Sequence, residues 1–133
     1  MSDNYRPLNQ DEIRVLDKLL ENDFPGRDAI REQISDCEVR EWDDKSLTID
    51  ILTKSQVLAN VLDRVPVEGL INPRDGGPLE ILLHVVDGRV IILEIVTYSN
   101  PNLEKLPDPS EFRVVVRDEE FLKKLRETGE VVL

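Results

Sequence analysis

The sequence predicts an α+β fold: a mostly antiparallel sheet of about five or six strands, two N-terminal helices on one of its faces, and a C-terminal helix. Three observations predict it. Ile13, Leu16, Leu20 and Phe24 recur at helical spacing, flanked by Val15 and Leu19. From Cys37 the apolar period changes to two, as half-buried strands require. Asp87-Gly88 then separates two long apolar runs, and Asp-Gly suits a type I′ hairpin turn because it tolerates positive φ at both central positions.

The first helix is expected to run for about four turns. Asn9 or Asp11 can cap it, and Glu12 lies in its electropositive first turn. Phe24-Pro25-Gly26 ends it. A shorter helix follows with Ala29, Ile30 and Ile34 on its buried face, and the two helices suit an αα-hairpin. Next, Cys37, Val39 and Glu41 alternate with Glu38, Arg40 and Trp42. A turn at Asp43-Asp44-Lys45 leads to Leu47, Ile49 and Ile51, with polar Thr48 and Asp50 between them. This pair reads as a hairpin with one wet face.

Residues 54–66 read ambiguously: Val57, Leu58, Val61 and Leu62 fit a short helix that Pro66 ends. Residues 65–71 read as a strand, and 72–78, dense in turn residues, as a loop. For the central hairpin, a two-residue turn pairs Val86 with Arg89, His84 with Ile91, Leu82 with Leu93 and Glu80 with Ile95. This register places Glu80 and Glu94 on opposite faces. A proline-bearing loop over 99–111 precedes a strand at 112–116. Arg117-Asp118 opens the last helix, with Phe121, Leu122 and Leu125 on its apolar face. Gly129 stops it, and Val131-Val132-Leu133 suits a terminal edge strand.

The chain has 133 residues, the size of one ordinary domain, and reads as a single domain over 1–133. Seventeen basic against twenty-eight acidic residues give a net charge of −11. That charge repels phosphate backbones and anionic membranes, so neither nucleic acid nor membrane is an expected partner. It would attract a basic protein. One cysteine allows no internal disulfide, no signal peptide is read at 1–5, and no apolar run approaches the roughly 20 residues of a membrane helix. A cytoplasmic location is expected.

Little of the sequence points to catalysis. His84 is the only histidine and lies mid-strand among apolar neighbours. Cys37 stands between Asp36 and Glu38, which discourage its thiolate. Histidines and cysteines are too few for a common transition-metal site, and no calcium-loop spacing is present around Asp108, Glu111, Asp118 or Glu119. Gly76-Gly77-Pro78 lacks the spacing and the lysine of a phosphate loop. No catalytic residue, metal or cofactor is therefore assigned. His84, Glu94 and Arg89 remain as candidate ligand-binding residues around the hairpin. Glu94 needs a partner in its apolar setting. Trp42 and Tyr98, near strand ends, either close the core or form an interface, with core closure the simpler expectation.

Several short motifs carry a resemblance. Arg6-Pro7-Leu8, Phe24-Pro25-Gly26-Arg27-Asp28, Val65-Pro66-Val67-Glu68-Gly69, Leu82-Leu83-His84-Val85-Val86-Asp87-Gly88-Arg89 and Leu93-Glu94-Ile95 resemble an uncharacterised bacterial domain-of-unknown-function family of small acidic cytoplasmic proteins. The match spans about residues 5–117. The resemblance implies mixed α and β structure and no known activity, so it carries no site residue over.

A protein-binding module is the leading expectation, most concretely an immunity-type protein that neutralises a basic toxin domain. A small-ligand pocket or minor enzyme around the hairpin is the second. A homodimer joined through a sheet face is the third.

Overall fold

Asn9 starts the first helix. Its side chain accepts the Glu12 backbone N–H at 2.8 Å, and the Glu12 carboxylate accepts the Asn9 N–H at 2.9 Å. This reciprocal pair satisfies two of the free donors at the start of α1 (Gln10–Leu19). The structure, a computed structural model, describes residues 4–43, 46–71, 79–98 and 103–128. At ten residues α1 is shorter than expected, and Phe24 is buried from the turn beyond it. Gly26, at φ +92°, leads into α2 (Arg27–Ile34).

Among the described residues six strands follow: β1 (Glu38–Glu41), β2 (Ile49–Leu52), β3 (Val67–Ile71), β4 (Leu79–Val86), β5 (Arg89–Thr97) and β6 (Arg113–Val116). They form one sheet in the order β1-β2-β5-β4-β3-β6, and every neighbouring pair is antiparallel. α3 (Glu119–Thr128) is the last element among the described residues. No helix among the described residues is long and apolar enough to cross a membrane.

The inner face is a continuous apolar layer. Ile49, Leu93, Leu83, Val67 and Val116 align across five strands. Together with Val39, Ile51, Ile81 and Val85 they share one buried cluster with Val15, Leu16, Leu19 and Leu20 of α1 and Ile30 of α2. Gly69 belongs to this layer because a Cβ there would stand 2.8 Å from the Phe112 ring. Beyond β1, Arg6 forms a bridge to Val39 through two backbone bonds, of 2.9 and 2.7 Å.

The hairpin of β4 and β5 turns where expected, with Asp87 at φ +52° and Gly88 at φ +79°. Its register does not follow the expected pairing. Val86 faces Arg89 and Val85 faces Val90, but His84 then faces Ile92, Leu83 faces Leu93 and Leu82 faces Glu94. Ile91 is thus an extra residue in β5, a β-bulge that shifts everything beyond it by one. Glu80 and Glu94 consequently share a face instead of lying on opposite ones.

The short helix suggested over 54–66 does not form. Its backbone groups are engaged by distant elements. Ala59 N–H donates to Gly88 O at 2.8 Å, Val85 N–H donates to Arg64 O at 2.8 Å, and Gln33 Nε2 donates to Val57 O at 2.8 Å. Those bonds hold the segment across the hairpin end, burying Ala59 and Val65 while Val57, Leu58 and Leu62 stay exposed.

The Asp44-Lys45 part of the first turn, the 72–78 loop, residues 99–102 with Pro101, Gly129 and the terminal 131–133 strand lie outside the described residues. The expectation for Phe121 and Leu125 also falls on side chains outside that description.

Gln33 is fully buried. Besides Val57 O, its Nε2 donates to Gly88 O at 2.7 Å, and its Oε1 accepts the Val90 N–H at 2.9 Å, beside the bulge. Each buried backbone group left without a partner costs about 1–3 kcal/mol. Gln33→Leu is therefore expected to lower unfolding stability by about 3 kcal/mol, read as a lower urea midpoint at unchanged slope.

Candidate functional site

The side of the sheet opposite the apolar cluster carries the polar chemistry. Arg40, Asp50, Ile92 and His84 form one cross-strand row over β1, β2, β5 and β4. Glu94, Leu82, Glu68 and Val115 form the next over β5, β4, β3 and β6. Val96, Glu80, Leu70 and Arg113 form a third. Strand alternation places these residues outward. Most of them are only half-buried, unlike the inner rows.

His84 and Glu94, both singled out from sequence, meet here. His84 Nε2 lies 2.8 Å from Glu94 Oε1, and Arg64 Nε donates to His84 Nδ1 at 3.1 Å. Arginine has no acceptor, so Nδ1 must carry the lone pair and Nε2 the proton. In this tautomer His84 donates to Glu94. Both ring nitrogens are occupied, and the imidazole acts as an orienting link between Arg64 and Glu94.

Arg89 does not join them. Its Nη1 donates to Ser55 O at 2.7 Å and approaches Thr53 Oγ1 at 3.4 Å, so it ties the chain after β2 to the start of β5. Arg64 takes the place expected of it, carried by the irregular 54–66 segment.

Trp42 and Tyr98 do not close the core. They are 52% and 61% exposed. Each follows an outward residue by two positions, Arg40 and Val96, so alternation turns both toward solvent. Trp42 Nε1 donates to Asp50 Oδ1 at 2.7 Å, and Arg40 Nη2 donates to Asp50 Oδ2 at 3.2 Å. Arg40 also sits over the Tyr5 ring, 4.7 Å from its centroid. A slight loss of hydration, then the nearby Glu80 carboxylate, pushes the Tyr98 phenol up.

Glu68 is a site feature that sequence reasoning missed. It is 2% exposed. Its Oε1 accepts no hydrogen bond and lies 3.7 Å from Arg117 Nη2, while Arg117 Nη1 donates to Asp63 Oδ1 at 3.2 Å. Burial raises the Glu68 carboxyl above its usual range, Arg117 partly offsets this, and Glu80 adds to it. The alternation Val67-Glu68-Gly69 could have placed Glu68 outward, but nothing local signalled its burial.

A cleft of about 640 Å³ lies elsewhere, bounded by α1, α2 and the start of β1, with Leu8, Ile13, Leu16, Ile34 and Cys37 on its walls. Burial, more than its acidic neighbours, pushes the Cys37 thiol up to about 11, so its thiolate is scarce near neutral pH. None of the sequence-predicted site residues lines this cleft. Among the described residues no group of three or more His, Cys, Asp or Glu side chains is arranged to hold a metal ion.

A carboxyl whose folded pKa is raised binds its proton more tightly folded than unfolded. Its penalty is absent below the ordinary glutamate range and grows as pH rises through and above that range. Glu68→Gln is therefore expected to raise the melting temperature at about pH 7, with a smaller gain at about pH 4. Thermal scans at the two pH values check it; an equal shift at both overturns it. Comparison with known proteins adds no relative: no family model matches the chain, and no curated protein or solved structure shows significant similarity to it.

Proposed function

We propose that the chain is a non-enzymatic protein-binding module that recognises a basic protein with the outer face of its sheet. One observation carries this reading. Asp50, Glu80 and Glu94 stand on that face among half-exposed Leu82, Ile92 and Val96, with the exposed rings of Trp42 and Tyr98 on the same side. Acidic groups around apolar ground, with the aromatic rings of Trp42 and Tyr98 exposed beside them, suit a protein surface better than a reaction. The net charge of −11 supports steering toward a basic partner. The most concrete form is an immunity-type protein that neutralises a basic toxin domain.

The same charges weigh against two copies stacking on this face, since each would bring carboxylates against carboxylates. Catalysis at His84 finds less support, because both ring nitrogens are already engaged.

Affinity capture at low ionic strength from the source cells, with the full chain as bait, is expected to recover a defined basic protein. Trp42→Ala combined with Tyr98→Ala is expected to weaken that complex about tenfold without lowering the melting temperature. Recovery of no basic protein, or full binding by the double variant, sinks the reading.

A further inference from the structure

His84 is held from two sides by groups that make opposite demands on it. Arg64 Nε donates to its Nδ1 at 3.1 Å, and its Nε2 lies 2.8 Å from Glu94 Oε1. A guanidinium only donates, so its bond needs the Nδ1 lone pair of the neutral ring. A carboxylate only accepts, so its bond survives protonation of the ring and is strengthened by it. An imidazolium carries protons on both nitrogens and offers Arg64 no acceptor. One proton therefore separates the two partners: Glu94 stays, and Arg64 is displaced.

The Arg64 side is built to let go. Arg64 is exposed, and the bond to His84 is the only one its guanidinium makes among the described residues. Water takes over its donors once that bond breaks. The backbone is held separately, by Ala59 N–H on Gly88 O and by Val85 N–H on Arg64 O, both at 2.8 Å. Between these two anchors residues 60–63 border a cleft of about 430 Å³ against the hairpin end at 85–88. The other charged groups around the ring have partners of their own. Glu68 on β3, diagonal to His84, lies near Arg117, and Asp63 takes the Val65 N–H and Arg117 Nη1. Asp50 stands beyond Ile92 in the same row and is paired with Arg40. Glu80 and Asp87 lie further along β4 and its turn, beyond Leu82 and Val86.

We propose that His84 is a pH-sensitive latch on Arg64: a proton added to Nδ1 releases the Arg64 side chain from the sheet, loosens residues 60–63 over their cleft, and leaves Glu94 bound to the ring. The proton comes from solvent and occupies the Nδ1 lone pair, and only hydrogen bonds change. Glu94, and at longer range Glu68, favour the charged ring, whereas Arg64 and Arg117 oppose it. Protonation also sets a cation against the Arg64 guanidinium, so release is driven by repulsion as well as by the lost acceptor. The device does not depend on what the outer face binds.

The test uses the full chain, labelled with ¹⁵N and followed by NMR between about pH 8 and about pH 5, the range in which imidazoles take up a proton. His84 is the only histidine, so its ring signals identify themselves. The Arg64 Nε–H is expected to be protected from exchange at the upper end and to lose that protection in step with ring protonation. Amide shifts at 60–64 are expected to follow the same midpoint. Arg64→Met keeps an aliphatic stem and removes the cation. Its ring is expected to bind the proton about threefold more tightly, and the movement at 60–63 is expected to disappear. Glu94→Gln is expected to bind the proton about threefold more weakly, with the Arg64 protection still lost when the ring is charged. Equal proton affinity in the native and Arg64→Met chains overturns the latch. An Arg64 Nε–H that stays protected beside a charged ring, or a ring that stays neutral throughout, overturns it as well.

Discussion

One extra residue in β5 decides which side chains of the hairpin share a face. Beyond Ile91 the strand is displaced by one position, and Glu94 turns from the side of the apolar cluster to the side of His84. The bulge does not stand alone. The Val90 N–H beside it is accepted by Gln33, whose amide also holds the carbonyls of Gly88 and Val57. A buried glutamine on α2 therefore supports the register on which the outer face depends. The chain of cause runs from one side chain, through a backbone irregularity, to the face on which Glu94 stands.

Local signals were legible in the sequence. The Asn9 cap, the change of period at Cys37 and the Asp87-Gly88 turn depend on residues adjacent in the chain, and each forms as expected. The bulge was not legible, because consecutive pairing from a two-residue turn is the simplest local solution, and the bonds beside the bulge come from Gln33 and the 54–66 segment, distant in the chain. The 54–66 segment failed for a related reason. Its apolar spacing suits a helix, but its backbone partners are Gln33, Val85 and Gly88. Half of the candidate site was readable: His84 and Glu94 were named, while Arg64 and Glu68 take their positions from tertiary contacts that no local pattern encodes.

The fold shows how it treats an acid that it buries. Glu12 is 4% exposed, and Arg6 grips both its carboxylate oxygens at 2.8 Å while also reaching Glu41 at 2.6 Å. A bidentate pair of this kind compensates for lost hydration. Glu12 first, then Glu41, pushes the Arg6 guanidinium further into its charged range, and Arg6 in turn lowers the Glu41 carboxyl. The outer face is organised otherwise. There Asp50 is paired with Arg40 at 3.2 Å and Glu68 lies 3.7 Å from Arg117, while Glu94 meets the His84 imidazole and Glu80 the Tyr98 side chain. Within one small domain, the buried Glu12 is gripped at both oxygens, while Glu80 and Glu94 carry no arginine or lysine partner among the described residues.

Arg6 has one more consequence. By taking both backbone groups of Val39, it occupies the middle of the outer edge of a four-residue strand. Pro7 follows at once, and its missing N–H and fixed φ prevent the pairing from running on as a regular strand. One margin of the sheet is thus closed to templated growth. Fibre formation by adding strands needs two receptive margins on every molecule, so a block on one of them removes the open-ended route to aggregation.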